Sequence, residues 1–489
     1  MTMRLKPSLE YTFVFSGILD QLKRSKVKVI NGEPKQETTI YVSVNEADFL
    51  NLRGLQVKDV IADVVDLGTA ISVADRWAKR DREYPCHIHI KLPVRRPDVL
   101  CAENIMWHLQ RMLDWFTGDI WTFEFVPINE QRRTSELQLP LWKASNAGVS
   151  VEVALWSGGL DAFAGLCCQI RNRVADRYLL LGEGSNSLMK GVQERVFEQL
   201  KAKLNADLHL VQIATAKSKS KREKTLPKNG AMRTRGLVFM LLGSAYAHLE
   251  GQNSLSVYEN GIGAINLPFR ASEVGLDHAR SVHLLSLQFV SRFFSMLIGE
   301  QFRVHNPFQW ITKGEMCRVL DEMDVTEIAW QTVSCDRPHH RDTPQCGGCS
   351  SCLLRRQSFL AAETLDKTGY LIETESGEIL DQLLRKSQLA HMLFQVKSLK
   401  TALQASDSWT RLAYQHPTRL ADLVQRLIED GSDNYDFLVQ NILSLYERYT
   451  AEWSISTVRA LFSNEIKAMK RVPTCEKSDI RQLEEGNLK

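Results

Sequence analysis

Two stretches of this sequence carry residue types at spacings that can do chemistry. The first is Cys335, Cys346, Cys349 and Cys352: one thiol, a loop, then two C-x-x-C pairs that share Cys349. The two-residue gap lets neighbouring thiolates turn toward one ion, and four soft sulfur donors suit a tetrahedral zinc. Similar runs hold iron–sulfur clusters, so spacing leaves the metal open, and a redox C-x-x-C pair is a further alternative. His339 and His340 lie inside the loop. Because four thiolates already complete a closed site, these histidines are expected to face solvent or substrate. The second stretch is Val151 to Asp161, V-E-V-A-L-W-S-G-G-L-D. Its two glycines allow a sharp turn and a close ligand approach, and the helix that follows offers unpaired N–H groups and the positive end of its dipole. That is chemistry for an anion, phosphate or pyrophosphate first. As a phosphate cradle the stretch draws on Leu155, Trp156, Ser157, Gly158, Gly159, Leu160 and Asp161. A plain β-to-α turn would need only the glycines.

The elements around the turn favour the cradle. Val151, Val153 and Leu155 alternate as a strand, and Ala162, Phe163, Leu166, Cys167 and Ile170 recur at helical spacing. Tyr178 to Gly182 is a continuous apolar run of the kind buried on both faces, Leu188 to Leu204 is an amphipathic helix, and Asp207 to Ile213 reads as a third strand. This βαβαβ order implies a parallel sheet, with ligands beyond the carboxyl ends of its strands. From Lys217 to Lys228 a lysine-rich run reads as a solvated, mobile loop, or as a lid over polyphosphate. Arg233 and Arg235 then precede a long apolar helix, where a guanidinium fork can bind phosphate. Ser254 to Tyr258 is a short strand ending in Glu259 and Asn260, which could read the polar edge of a ring or only make a turn. His283 to Gly299 reads as another helix, leading through Phe302 to Asn306 to P-F-Q-W-I-T-K-G-E at 307–315.

On either side lie less informative regions. Residues 1–148 mix short strands (Thr12 to Phe15, Val27 to Ile30, Thr39 to Val44, Cys86 to Leu92, Trp121 to Val126) with helices at Val57 to Trp77 and Asn104 to Phe116. They read as an α+β domain closed by a polar linker at Gln131 to Gly148. His87 and His89 would share one strand face, but no third ligand accompanies them. Residues 361–489 read as a helical domain with stretches at Glu378 to Lys400, Ser406 to Tyr414, Pro417 to Glu429, Asp436 to Tyr449 and Ser454 to Met469, and a charged, frayed end. A net charge of +3 over 489 residues is too small to imply nucleic acid as a partner. No run of roughly twenty apolar residues is present to cross a membrane. With six of ten cysteines scattered, the chain does not read as a secreted disulfide framework, so a cytoplasmic protein is expected.

The central portion, Val151 to Leu360, resembles the 7-cyano-7-deazaguanine synthases, nitrile-forming members of the PP-loop ATP-pyrophosphatase superfamily. Four segments carry the resemblance: Ser157-Gly-Gly-Leu-Asp161, the arginine-led helix from Arg233, Asn306-Pro307-Phe308 to Lys313-Gly-Glu315, and the cysteine cluster running into Leu354-Arg355-Arg356. The resemblance implies an adenine nucleotide alpha hydrolase-like domain over 149–360 with a structural zinc knot. It further implies ATP and Mg²⁺, and activation of the carboxylate of 7-carboxy-7-deazaguanine as an acyl-adenylate. Carried onto this chain, the 157–160 turn stabilises the leaving pyrophosphate, helped by Arg233 and Arg235. Asp161 meets Mg²⁺, Lys313 meets the adenylate or phosphate, and Glu259 and Asn260 meet the purine-like edge. Ammonia would then give an amide, and a second activation a nitrile. The superfamily's usual Ser-Gly-Gly-x-Asp-Ser ends here in Ala162. Enlarged relatives of this kind are associated with antiphage operons. The flanking regions favour one alternative, acyl transfer to an amine of a protein or nucleic acid, while the lysine run and Ala162 support another, a non-catalytic ATP- or nucleic-acid-binding module. Oligomerisation is open. Asp161→Asn is expected to abolish AMP formation while Ala162→Ser leaves it unchanged or raises it. Nucleotide chromatography reads both, and full activity in Asp161→Asn would place the site elsewhere.

Overall fold

Alternating apolar residues early in the chain and continuous apolar runs in its middle build one ten-stranded sheet. The computed structural model describes residues 9–17, 25–32, 36–45, 57–80, 85–128, 148–184, 186–219, 232–265, 280–336, 345–371, 379–415, 420–429 and 434–453. Its strands are β1 (Glu10–Phe15), β2 (Ser25–Asn31), β3 (Gln36–Asn45), β4 (His87–Val94), β5 (Ile120–Pro127), β6 (Val151–Leu155), β7 (Arg177–Glu183), β8 (Asp207–Lys219), β9 (Ser254–Ser256) and β10 (Arg303–His305). The helices that matter below are α1 (Asp59–Trp77), α2 (Glu103–Thr117), α3 (Leu160–Arg171), α4 (Ser187–Lys203), α5 (Arg235–Leu249), α6 (Gly261–Ala264), α7 (Leu284–Ile298), α8 (Lys313–Cys317), α9 (Ser350–Ala361), α10 (Ile379–Leu403), α11 (Leu420–Glu429) and α12 (Tyr435–Glu452).

Across the sheet the order is β10-β9-β6-β7-β8-β3-β2-β1-β4-β5. Strands β10, β9, β6, β7 and β8 are mutually parallel, and β7 is set so that Leu181 faces Leu155. The chain builds outward from β6 through β7 to β8, then returns to place β9 on the other side of β6. That reversal is a topological switch point, where a crevice opens beyond the carboxyl ends of the strands. The alternation expected along β4 is borne out: Ile88, Ile90, Leu92 and Val94 are buried, while His87, His89 and Lys91 are partly exposed. His89 reaches Thr122 at 2.9 Å across this open face.

The boundary expected at residue 148 coincides with no break in the sheet or the core. β3 pairs antiparallel with β8, Ile40 opposite Lys219 and Asn45 opposite Ala214. One apolar core then runs from Phe13, Val42 and Ile90 through α1 and α2 to Leu241, Phe293 and Phe294. This pairing corrects the reading of the lysine run as loop from its first residue, since Lys217 and Lys219 are strand residues facing Val42 and Ile40. A strand's free edge is satisfied by a neighbour more readily than by solvent, and β3 supplies one. On the sheet's other face Trp156, Phe163, Leu166, Tyr178, Val196 and Phe359 form a second core. A third joins the helical C-terminal region (Leu389, Met392, Val424, Ile442, Leu445, Tyr449) to Ile262, Leu284 and Leu353. Ser406 to Tyr414, expected as one helix, is a short helical turn at Ser408–Thr410 followed by a π-helix at Arg411–Gln415. The rest of the lysine run, His339 and His340, the 131–147 linker and the Ser454 to Met469 helix lie outside the described residues.

A buried ion network ties α1 and the turn after α2 to the start of α5. Asp75 pairs with Arg80 at 2.5 Å and accepts the backbone N–H and hydroxyl of Thr234 at 2.8 and 2.7 Å. Arg80 in turn pairs with Asp119 at 2.6 Å. Removing one partner of a buried pair leaves the other without compensation and costs on the order of 3–5 kcal/mol. Asp75→Ala is therefore expected to lower the thermal midpoint clearly, read by differential scanning calorimetry, whereas Lys28→Ala at an exposed pair is not.

Candidate active site and metal centre

β6 delivers its turn to the switch point under tight local control. The Trp156 N–H donates to the Leu181 carbonyl at 2.7 Å, continuing the strand pairing, and its buried indole donates to the Gln193 carbonyl at 3.1 Å. Gly158 has φ +76°, and a Cβ there would stand 3.1 Å from Gln193 Cγ, so both conformation and space call for glycine. The Gln193 amide donates to the Glu183 carbonyl at 3.2 Å, and Val333 N–H to the Gly158 carbonyl at 3.1 Å. Ser157 Oγ accepts the Gly159 N–H at 3.2 Å. α3 then starts at Leu160 from Gly159, which supplies no side-chain cap, leaving first-turn amides for a ligand. The side chains of Leu155, Trp156 and Leu160 are buried in the cores, so what they offer an anion is backbone. Ala162 is buried as well, at 4% exposure.

Beside this turn four predicted residues converge from three separate segments. Lys313 Nζ pairs with Asp161 Oδ2 at 2.6 Å. Asn260 Nδ2 donates to Asp161 Oδ1 at 2.9 Å and to Glu259 Oε1 at 2.6 Å. Asp161 opens α3, Glu259 and Asn260 follow β9, and Lys313 follows β10: each arrives at a carboxyl end of a parallel strand. Lys313 is held by a capping box in which Thr312 Oγ1 accepts the Glu315 N–H at 3.1 Å and Glu315 Oε2 accepts the Thr312 N–H at 2.8 Å. The strand end carrying Glu259 is fixed by Asn306, whose Nδ2 donates to the Glu259 carbonyl at 2.7 Å.

The cluster holds two carboxylates around one ammonium, and their titration follows. Burial pushes the Glu259 carboxyl up, the neighbouring Asp161 charge adds to this, and Lys313 and Asn260 oppose it. Burial disfavours the Lys313 ammonium, but Asp161 and Glu259 outweigh it and hold Lys313 above the usual lysine value. The site thus presents a fixed cation next to the uncapped start of α3, with a carboxyl group inclined to keep its proton. Arg233 is placed differently: its guanidinium donates to the Thr117 carbonyl at the end of α2 at 2.6 Å. It also adds to the like charge of Arg426 around Arg280, whose guanidinium lies 4.1 Å from the Trp115 ring centre. Arg235 is exposed at the start of α5.

Farther along, the four cysteines gather into one cluster that could hold a metal ion. Their sulfurs all lie within 4.8 Å of one another, with Cys346 to Cys352 at 3.9 Å and Cys349 to Cys335 at 4.0 Å. Four sulfurs bound tetrahedrally at about 2.3 Å from zinc would stand about 3.8 Å apart, so the donor set fits. The N–H groups of Gly348 and Cys349 point at Cys346 Sγ at 3.4 and 3.3 Å, a second shell that suits a thiolate. Next to the knot Arg355 is buried, donating to Thr332 Oγ1 at 2.8 Å and the Ala329 carbonyl at 2.7 Å. Gln193 and Asn306 as positioning groups were not recognised from sequence; only the Thr-x-x-Glu spacing of the capping box carried a readable signal.

A parallel α/β sheet with a Ser-Gly-Gly turn at its switch point and a four-cysteine knot downstream defines a PP-loop domain. The family model described as "Queuosine biosynthesis protein QueC" matches residues 152–363, and the chain carries a domain of this QueC-like family. Among curated proteins, the 7-cyano-7-deazaguanine synthase of Erythrobacter litoralis is 26% identical over 239 residues, covering 46% of this chain and 95% of that protein. The synthase of Novosphingobium aromaticivorans is 25% identical over 232 residues, covering 45% of this chain and 93% of that protein. That of Cupriavidus taiwanensis is 42% identical over a shorter stretch of 72 residues, 15% of this chain and 30% of that protein. Nearly the whole length of the first two maps onto less than half of this chain. Among the described residues no helix is long and apolar enough to cross a membrane. Metal analysis of the purified chain is expected to find about one zinc per chain, and Cys349→Ser to lose it together with thermal stability. A full zinc complement in Cys349→Ser would count against the four-thiolate site.

Proposed function

We propose that this chain is an ATP-dependent ligase that adenylates the carboxylate of 7-carboxy-7-deazaguanine or a closely similar purine-like acid. One observation carries the reading: Lys313 pairs with Asp161 at 2.6 Å directly beside the uncapped 157–160 turn, with Glu259 and Asn260 on the same cluster. In this reading a substrate carboxylate oxygen attacks the α-phosphorus of ATP, the bond from that phosphorus to the bridging oxygen breaks, and pyrophosphate leaves. The turn amides and the α3 dipole receive the departing charge, and Lys313 supports the phosphate or adenylate. Mg²⁺, if Asp161 helps to hold it, neutralises the triphosphate. Glu259, inclined to stay protonated, and Asn260 offer a donor and an acceptor for the ring edge of the base. Ammonia then attacks the acyl carbon and AMP departs, giving an amide, and a second round of activation would yield a nitrile. A zinc held by the four cysteines would have a structural role, anchoring the chain just beyond Val333, whose N–H donates to the Gly158 carbonyl of the turn.

A second reading keeps the adenylation and changes the acceptor to an amine of a protein. The strands before residue 148 and the helices after residue 361 favour it, because less than half of this chain already matches nearly the whole of the relatives named as synthases. Incubating the chain with ATP, Mg²⁺ and 7-carboxy-7-deazaguanine is expected to release AMP and pyrophosphate, and Lys313→Met to lower the rate by on the order of a hundredfold. No release from the native chain would sink the proposal. Mass spectrometry of the products decides between amide, nitrile and a mass added to a protein.

A further inference from the structure

The C-terminal helix α12 reaches back to the element that carries Lys313. Thr312 Oγ1 donates to Glu452 Oε1, and Gln357 of α9 donates to Glu452 Oε2 at 3.3 Å. One turn earlier Arg448 forms an ion pair with Glu315 at 3.0 Å and donates to the Trp310 carbonyl at 2.5 Å. Thr312 and Glu315 are the two members of the capping box that starts α8, so α12 holds both of them. The approach is close: a Cβ on Gly314 would lie 2.6 Å from Glu452 Oε1 and 2.9 Å from Ala361 Cβ. The same helix also meets the other arm of the site, since a Cβ on Gly261, next to Asn260, would lie 2.7 Å from Leu445 Cδ2.

Glu452 is an expensive group to keep in that position. Burial raises its carboxyl to about 7, against the hydrogen bonds from Thr312 and Gln357, with Glu315 adding to the rise and Arg318 opposing it. A leucine or methionine would fill the same space without a desolvation cost, but would leave the Thr312 hydroxyl without this acceptor. We infer that Glu452 is a positioning residue: through Thr312 it sets where Lys313 Nζ stands relative to Asp161, which makes the C-terminal helical region a working part of the lysine site. This rests on the reading of Lys313 as the cation that supports the nucleotide. Small displacements matter there, because a shift of about 1 Å in a reacting or charge-stabilising group can cost on the order of a hundredfold in rate.

The test uses the full chain. Glu452→Ala is expected to lower kcat for AMP release about tenfold or more while KM for ATP stays within about twofold. Glu452→Gln keeps an oxygen for the Thr312 hydroxyl and is expected to recover most of the rate. Arg448→Met, at a partly exposed pair, is expected to move kcat the same way by less, which covers the case in which Glu452→Ala does not fold. Backbone hydrogen exchange over residues 310–317 is followed in the same proteins, expected to quicken in Glu452→Ala and to return toward native rates in Glu452→Gln. Unchanged kcat with unchanged exchange, a rise in KM alone, or a Gln variant no better than Ala overturns the inference. A native chain that releases no AMP overturns the proposed function instead, and the exchange measurements then decide the positioning role by themselves.

Discussion

One buried ammonium shared between two carboxylates is the constraint on which the central site depends. Lys313, Asp161 and Glu259 converge where the sheet reverses its strand order, and Asn260 stitches the two carboxylates together. Three charges taken out of water would cost several kcal/mol each unless they compensate one another. Compensation here is incomplete: burial pushes the Glu259 carboxyl upward, and the Asp161 charge adds to the rise because one cation faces two acids. Such a site is ready for a further cation or for a polar ligand edge, and it stands beside amides that want an anion. The proposed chemistry needs both.

Everything around that cluster serves to bring three chain segments to the same edge. Parallel pairing of β10, β9 and β6 aligns their carboxyl ends, and each of these strand ends hands over one element of the site. Local devices finish the placement: Gln193 beneath the turn, Asn306 against the Glu259 carbonyl, and the capping box at Lys313. The helical C-terminal region is tied to the last of these through Glu452 and Arg448. The N-terminal strands extend the same sheet through β3 and share a core with α5 and α7. The regions that lengthen this chain beyond the synthases it resembles are therefore continuous with the domain that carries the site.

Much of the local structure was legible beforehand because it is dictated by short-range patterning. The period-two alternation of Ile88, Ile90 and Leu92 and the helical recurrence of Phe163, Leu166 and Ile170 name their elements directly. Legibility failed where a partner distant in sequence decided. Lys217 and Lys219 look like solvated loop until β3 supplies a strand to pair with, and no local pattern signals that the Arg233 guanidinium donates to the Thr117 carbonyl. The π-helical turn at Arg411–Gln415 likewise carries no periodic signature that separates it from an ordinary helix.

The sequence by itself determined the chemistry of the parts: a glycine turn able to hold phosphate, four thiolates at metal spacing, and a carboxylate and an amide placed at the end of a short strand. These follow from residue type and from spacings of a few residues, which the covalent chain enforces. Only the tertiary structure decided that Asp161, Asn260, Glu259 and Lys313 form a single cluster, since 99 residues separate Asn260 from Asp161 and a strand crossover must bring them together. The tertiary structure also set Glu452, 140 residues beyond Thr312, against the lysine element. Contacts at such separations depend on sheet order and helix packing, which no local pattern encodes.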